Sequence, residues 1–202
     1  MNRLEYWNNI TSTFPLDNLA KDLHESWDIE TQSYTKHDAI PEEALKLIPG
    51  ADRVLDFGVG LGRNYGYLNE LFYRVHGYDL RGMIVKAIDL GYAEEFSLSC
   101  NWDEIKTFKY DLVYSSVCFQ HLDIAELSSK LVDIADITEY LYINTRSYND
   151  DGRDFKNQTG GENVLDFIMK TNLFEVLYCS IPTEEARLLK DETHFTVLFK
   201  TK

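Results

Sequence analysis

The sequence predicts an α/β fold: a doubly wound, largely parallel sheet with helices on both faces, preceded by an N-terminal helical cap. Three observations predict it. From about residue 53 onward, short β-rich runs alternate with apolar stripes at helical spacing. A glycine-rich turn, Gly58-Val59-Gly60-Leu61-Gly62, joins the first run to the first stripe. The chain has 202 residues, 44% of them hydrophobic, enough for one substantial core and hardly for two. Residues 1–202 therefore read as a single domain, with 1–50 as the cap and 51–202 as the core. Five strand–helix alternations imply parallel βαβ units joined by right-handed crossovers.

The elements follow in order. Leu16, Leu19, Leu23 and Trp27 mark one helix of the cap. Pro41-Glu42-Glu43 opens a second, with proline and acids in its first turn, and Pro49-Gly50 stops it. Residues 53–58 are a compact apolar strand, followed by a helix carrying Tyr65, Leu68, Leu71 and Phe72. Residues 74–79 form the next strand, and Leu80, Met83, Ile84, Ala87 and Ile88 share one face of the helix after it. A short strand at 96–100 leads to another at 111–117. A helix with Ile124, Leu127, Leu131 and Ile134 then precedes the strand 141–145. Beyond a polar loop, Val164, Leu165, Ile168 and Met169 mark one more helix. The β-rich runs 174–181 and 194–200 close the chain, and the 12 residues between them suit antiparallel pairing.

The charge balance narrows the function. With 34 acidic and 20 basic residues the net charge is −14, which repels nucleic-acid backbones and anionic membrane surfaces alike. No apolar run approaches the roughly 20 residues needed to span a bilayer, and the N-terminus lacks the apolar stretch of a secretory signal. Cys100, Cys118 and Cys179, each within or beside a strand-like run, read as free thiols of a cytoplasmic protein rather than a disulfide framework. Cys118 reads as a packed strand residue. No HExxH or CxxC pattern appears, so no metal is implied.

The glycine turn is the most informative stretch. Its glycines let the backbone bend sharply and let a ligand press against it. A dinucleotide fingerprint would place glycine at 63, where Arg63 stands, and the P-loop ending is absent. Asp56, just ahead of the turn, disfavours a diphosphate and favours a cationic ligand. Asp79 ends the second strand, where its carboxylate could accept both hydroxyls of a ribose; its other reading is a helix N-cap. Met83 follows by four and reads either as an adenine contact or as core.

These pieces resemble the class I S-adenosylmethionine-dependent methyltransferases, in particular the small type 11/12 group, over roughly residues 40–200. Asp56, Gly58, Gly60 and Gly62 match that family's Asp-x-Gly-x-Gly-x-Gly motif, which wraps the methionine part of the cofactor. Asp79 matches its ribose-binding acid. Asn101, with Trp102, matches the adenine-reading position that usually carries Asp. Residues 110–122 look like the fourth motif, whose Ser115–Val117 backbone lines the methyl-transfer point. The resemblance implies a three-layer, Rossmann-like, seven-stranded sheet of order 3-2-1-4-5-7-6 with the last strand antiparallel, and S-adenosyl-L-methionine as cofactor.

The implied chemistry is in-line methyl transfer to a small-molecule acceptor, in which alignment supplies about 7–11 kcal/mol. His121, just past the fourth core strand, reads either as the general base or as a scaffold histidine. Tyr6 and Trp7, with Phe14, Trp27 and Tyr34, form a possible aromatic lid. Arg146, Tyr148 and Arg153 stand in a loop that either holds an anionic part of the substrate or is simply solvated. The sequence leaves the acceptor, the attacked atom and the oligomeric state open. A methyltransferase-fold binding or regulatory module without catalysis is the alternative. Aminopropyl transfer and nicotinamide-dependent redox chemistry fit less well. The fourth motif lacks the Pro-Pro-Tyr and Pro-Cys-Gln patterns of DNA methylation.

Overall fold

The computed structural model describes residues 27–28, 33–34, 38–91, 97–146, 164–180 and 194–202. Two short strands, β1 (Trp27–Asp28) and β2 (Ser33–Tyr34), pair antiparallel through Trp27 and Tyr34. Trp27 was expected on a helix; its backbone instead joins a ladder, where aromatic residues are favoured. Leu16, Leu19 and Leu23 lie outside the described residues. Helix α1 (Glu42–Leu45) begins behind Pro41, as its proline and acidic first turn dictate.

The core then alternates as expected. Strand β3 (Arg53–Phe57) is buried from its second residue onward, as befits a central parallel strand. Helix α2 (Tyr65–Leu71), β4 (Arg74–Tyr78) and α3 (Arg81–Asp89) follow. After these come β5 (Leu98–Ser99), α4 (Trp102–Ile105) and β6 (Tyr110–Ser116). A 3₁₀ turn at Phe119–His121 leads into α5 (Ile124–Ile137), β7 (Thr138–Arg146), α6 (Val164–Thr171), β8 (Phe174–Ser180) and β9 (His194–Thr201). The start of α5 is fixed by a reciprocal cap: Asp123 Oδ1 accepts from Glu126 N–H at 2.8 Å, and Glu126 Oε2 accepts from Asp123 N–H at 3.3 Å. Helix α4 and the 3₁₀ turn carry too few residues to show a period in sequence.

The seven core strands lie in the order β5-β4-β3-β6-β7-β9-β8. All neighbours are parallel except β9, which runs antiparallel to both β7 and β8. This is the expected 3-2-1-4-5-7-6 arrangement with its last strand reversed. One face carries a core of Leu55, Phe57, Val113, Leu127, Leu131, Ile134 and their neighbours under α4, α5 and α6. The other buries Val54, Val75, Leu112 and Tyr114 under Ala44, Leu68 and Ile84 of α1, α2 and α3. Not every stripe residue is inside: Leu71 and Ile124, the last and first residues of their helices, are exposed, as is Met169. No helix among the described residues is long and apolar enough to cross a membrane.

Chain order reverses between β3 and β6, which opens a crevice at their carboxyl ends. Register places Asp56 of β3 between Gly77 of β4 and Tyr114 of β6. The site is built from there.

Candidate functional site

The turn after β3 is left-handed at every alternate residue, with φ of +85° at Gly58, +57° at Gly60 and +91° at Gly62. Two of these glycines have distinct reasons. A Cβ at Gly58 would come within 2.4 Å of Cys118 Sγ and 2.5 Å of its Cβ, so the two segments touch there. A Cβ at Gly60 would meet nothing within 4 Å, leaving the backbone open to a ligand. The turn is pinned to β4: Tyr78 C=O accepts from Gly58 N–H at 2.8 Å and from Val59 N–H at 3.2 Å.

Asp79 extends this link. Its Oδ2 accepts from Gly60 N–H at 2.7 Å, and its Oδ1 accepts from Leu80 N–H at 2.6 Å. Burial raises its pKa to about 6, opposed by these two hydrogen bonds. Asp79 is not the cap of α3: that position belongs to Leu80, and no side chain caps the helix. The N-cap reading therefore falls, and the carboxylate faces the turn.

Asp56 lies under the turn. It is 1% exposed and its Oδ2 has no hydrogen-bond partner. Burial and then the nearby Asp79 carboxylate raise its pKa to about 8, against an opposing pull from Arg63 and a further push from Asp38. A buried, unsatisfied carboxylate in a native core calls for a functional reason.

Asp38 bridges the crevice from the segment before α1. Its carboxylate forms an ion pair with Arg63, and its Oδ2 also accepts from the Ser116 hydroxyl at the end of β6. Its backbone is held as well, accepting from Tyr114 OH at 2.7 Å and donating to Asn64 Oδ1 at 2.9 Å. Ala39 C=O accepts from Tyr142 OH at 3.3 Å, and Ile40 N–H donates to Tyr67 OH at 2.8 Å. Arg63 Nε remains buried without a partner. Ser116 is in register with Asn144 of β7, whose Oδ1 is likewise buried and partnerless. Polar atoms left unpaired thus gather at the carboxyl ends of β3 and β7.

The far wall of the crevice begins at Ser115, 2% exposed at the end of β6. Val117 follows with φ of +53°, a strained value for a β-branched residue, held by its N–H donating to Asn144 C=O at 2.7 Å. Cys118 lies past the strand end, packed on Gly58, not in the strand as expected; the strand stops because the chain turns at Val117. Burial, then Asp79 and Asp56, push its thiol pKa well up, so it is a poor nucleophile. All three cysteines are free thiols. His121 ends the 3₁₀ turn, half-buried, its N–H donating to Cys118 C=O at 2.8 Å.

Of the other expected contacts, Asn101 caps α4, its Oδ1 accepting from Asp103 N–H at 3.1 Å. Trp102 joins an aromatic cluster with Phe57, Tyr78 and Phe119, and its Nε1–H donates to Asp133 Oδ2 at 2.6 Å. Lys130 Nζ stands 4.0 Å from the Trp102 ring centre and 5.1 Å from that of Tyr78, and burial lowers its pKa to about 8. Met83 is buried on α3. Arg146 ends β7, its backbone opposite His194. Tyr6, Trp7, Phe14, Tyr148 and Arg153 lie outside the described residues. Among the described residues no group of His, Cys, Asp and Glu could hold a metal. An open groove of about 250 Å³ beside β4, lined by Tyr65, Arg74 and His76, is separate from the glycine turn.

Sequence reasoning missed Asp38, Asn144 and Lys130, and it placed Ser116 in the crevice wall without its bond to Asp38. Asn144 interrupts an otherwise apolar strand run, a signal that could have found it. Asp38 sits in a polar stretch without period and gave none.

A family model described as tellurite resistance protein TehB matches residues 24–140. The crystal structure of TehB from Haemophilus influenzae has a TM-score of 0.55 with this chain at 24% identity, covering 82% of this chain and 64% of that one. The chain thus spans less than two thirds of that protein. Magnesium protoporphyrin IX methyltransferase from Synechocystis PCC 6803, solved with bound SAH, gives 0.56 at 17% identity over 79% and 78% of the two chains. An S-adenosylmethionine-dependent methyltransferase from Clostridium acetobutylicum ATCC 824 gives 0.59 at 16% over 79% and 88%. No curated protein matches the sequence. The fold is that of the class I methyltransferases.

Proposed function

Because the chain belongs to the TehB family, we propose that it is an S-adenosyl-L-methionine-dependent methyltransferase acting on a small-molecule acceptor, in the cytoplasm, rather than on nucleic acid. Two carboxyl groups around a left-handed glycine turn, the buried Asp56 beneath it and the half-buried Asp79 bonded into it, carry this reading. The residues present fit the cofactor. Asp56 Oδ2 is a buried acceptor without a partner, and Gly60 leaves open space where a side chain would intrude. When bound, S-adenosyl-L-methionine supplies a methyl group on a sulfonium, already activated for displacement.

The chain's own part is to bind, orient and exclude water. Asp79, aligned by two backbone N–H donors, would receive the ribose hydroxyls. Asn101, Trp102 and Met83 would bound the adenine, and Gly58, Gly60 and Gly62 the methionine portion. The strained Val117 and the buried Ser115 form a stiff wall opposite the turn. His121, three residues beyond Cys118, would take the proton of an acceptor hydroxyl or amine. Tyr6, Trp7, Arg146 and Tyr148 are proposed acceptor contacts. Asp38, Ala39 and Ile40 belong to the proposed 1–50 cap and bond across the crevice, which supports that assignment. Within the small-molecule class, tellurite is the first acceptor to assay, since the family is named for tellurite resistance.

Calorimetric titration with S-adenosyl-L-methionine tests the reading. Saturable binding with micromolar affinity is expected, weakened tenfold or more by Asp79→Ala, because hydrogen bonds to a charged acceptor contribute about 1.5–3 kcal/mol each. Absence of saturable heat would remove it.

A further inference from the structure

The crevice gathers more carboxyl groups than cations. Three carboxylates, Asp38, Asp56 and Asp79, meet one guanidinium, that of Arg63. Arg63 is already committed to Asp38, in an ion pair whose side chains are 16% and 18% exposed. Asp79 is satisfied by the N–H groups of Gly60 and Leu80. Asp56 has no ion-pair partner among those described, and its Oδ2 accepts nothing. From β6, Tyr114 faces it, and from the turn beyond, Cys118. Burial holds both in their neutral forms, so neither adds a countercharge. A carboxyl as buried as Asp56 cannot ionise beside the Asp79 carboxylate without a large cost.

We propose that Asp56 distinguishes the charged cofactor from its neutral thioether product by exchanging a proton for the sulfonium charge. The inference rests on the cofactor assignment above. As the sulfonium enters, the Asp56 carboxyl loses its proton to solvent and becomes the counter-ion. After methyl transfer the sulfur is neutral, the counter-ion has lost its partner, and Asp56 takes a proton back. Net charge in the crevice is unchanged at each stage, and no further reactant is needed. Burial and the Asp79 charge, which raise the pKa of Asp56 to about 8, place the protonated form at neutral pH. The ribose and its contact with Asp79 are common to cofactor and product, so the difference between the two ligands isolates the sulfonium.

The test is isothermal titration of the full chain with S-adenosylmethionine and, separately, with S-adenosylhomocysteine. Titrations run from about pH 6 to about pH 7.5, below the usual α-amino titration near 7.7–8.0. Each is repeated in two buffers of different ionisation enthalpy, which counts protons released. The expected result is that affinity for S-adenosylmethionine rises up to about tenfold per pH unit with close to one proton released. Affinity for S-adenosylhomocysteine should rise less and release fewer protons, and Asp56→Asn should make the two profiles parallel. Equal slopes and equal proton counts in the unaltered protein would overturn the inference and leave the cofactor assignment standing. A difference that survives Asp56→Asn but disappears in Asp79→Asn would also overturn it. Binding of neither ligand at any pH would instead remove the cofactor assignment itself.

Discussion

Replacing Asp56 by asparagine removes a buried charge while keeping the side chain's shape. In the folded chain the Asp56 carboxyl titrates at about 8 against an ordinary value of 3.8. A folded-state value above the unfolded one means that the folded protein holds the extra proton. The stability that Asp56 contributes is therefore complete below pH 3.8 and is lost as pH rises towards about 8. The loss accrues at about 1.4 kcal/mol per pH unit. Asparagine carries no such dependence, though its unpaired amide hydrogens would add a constant cost of about 1–3 kcal/mol. The informative quantity is thus the slope. The stability of Asp56→Asn relative to the parent should rise by on the order of 4 kcal/mol between pH 5 and pH 8. Urea unfolding at pH 5, 6.5 and 8, extrapolated to water, measures it. Asp79 titrates in both proteins and cancels from the difference. Parallel pH profiles for parent and variant would refute the idea that Asp56 is a dry, uncompensated carboxyl.

Two glycines of the turn should part company under the same substitution. Gly58→Ala has to accommodate a Cβ 2.4 Å from Cys118 Sγ at φ +85°, costing about 1–2 kcal/mol for the backbone and about 1–3 kcal/mol for the overlap. Gly60→Ala meets no neighbour within 4 Å and carries only the backbone cost of about 1–2 kcal/mol at φ +57°, so it should lose less stability than Gly58→Ala yet bind S-adenosylmethionine poorly; equal thermal shifts in the two variants would count against this division. Asp123→Ala breaks the reciprocal cap on α5 and should cost about 1 kcal/mol, or roughly 2–4 °C in Tm for a chain of this size, with cofactor affinity unchanged.

Much of the fold was legible because its signals are periodic. Runs such as 53–57 and 110–116 are buried on both faces and read as continuous apolar strands. The stripe Leu127, Leu131 and Ile134 fixes α5 by its spacing alone. Trp27 misled because a single aromatic residue at helical spacing is equally at home in a strand. In the site, the types and order of Asp56, the glycines and Asp79 point to a cationic nucleoside from the sequence alone. What the sequence could not show is partnership over distance. Asp38 stands 25 residues from Arg63 and 78 from Ser116 in the chain, and only folding brings the three together. The unpaired state of Asp56 is invisible for the same reason: it follows from where Arg63 is already engaged.

Valine at position 117 takes a backbone shape that glycine would adopt without penalty. The shape is held there by the bond from Val117 N–H to Asn144 C=O. Beside it, Asp38 ties the end of β6 to the glycine turn through Ser116, Tyr114 and Arg63. A single side chain thus clasps both sides of the strand reversal, so the position of the turn and that of the β6 end are coupled through Asp38.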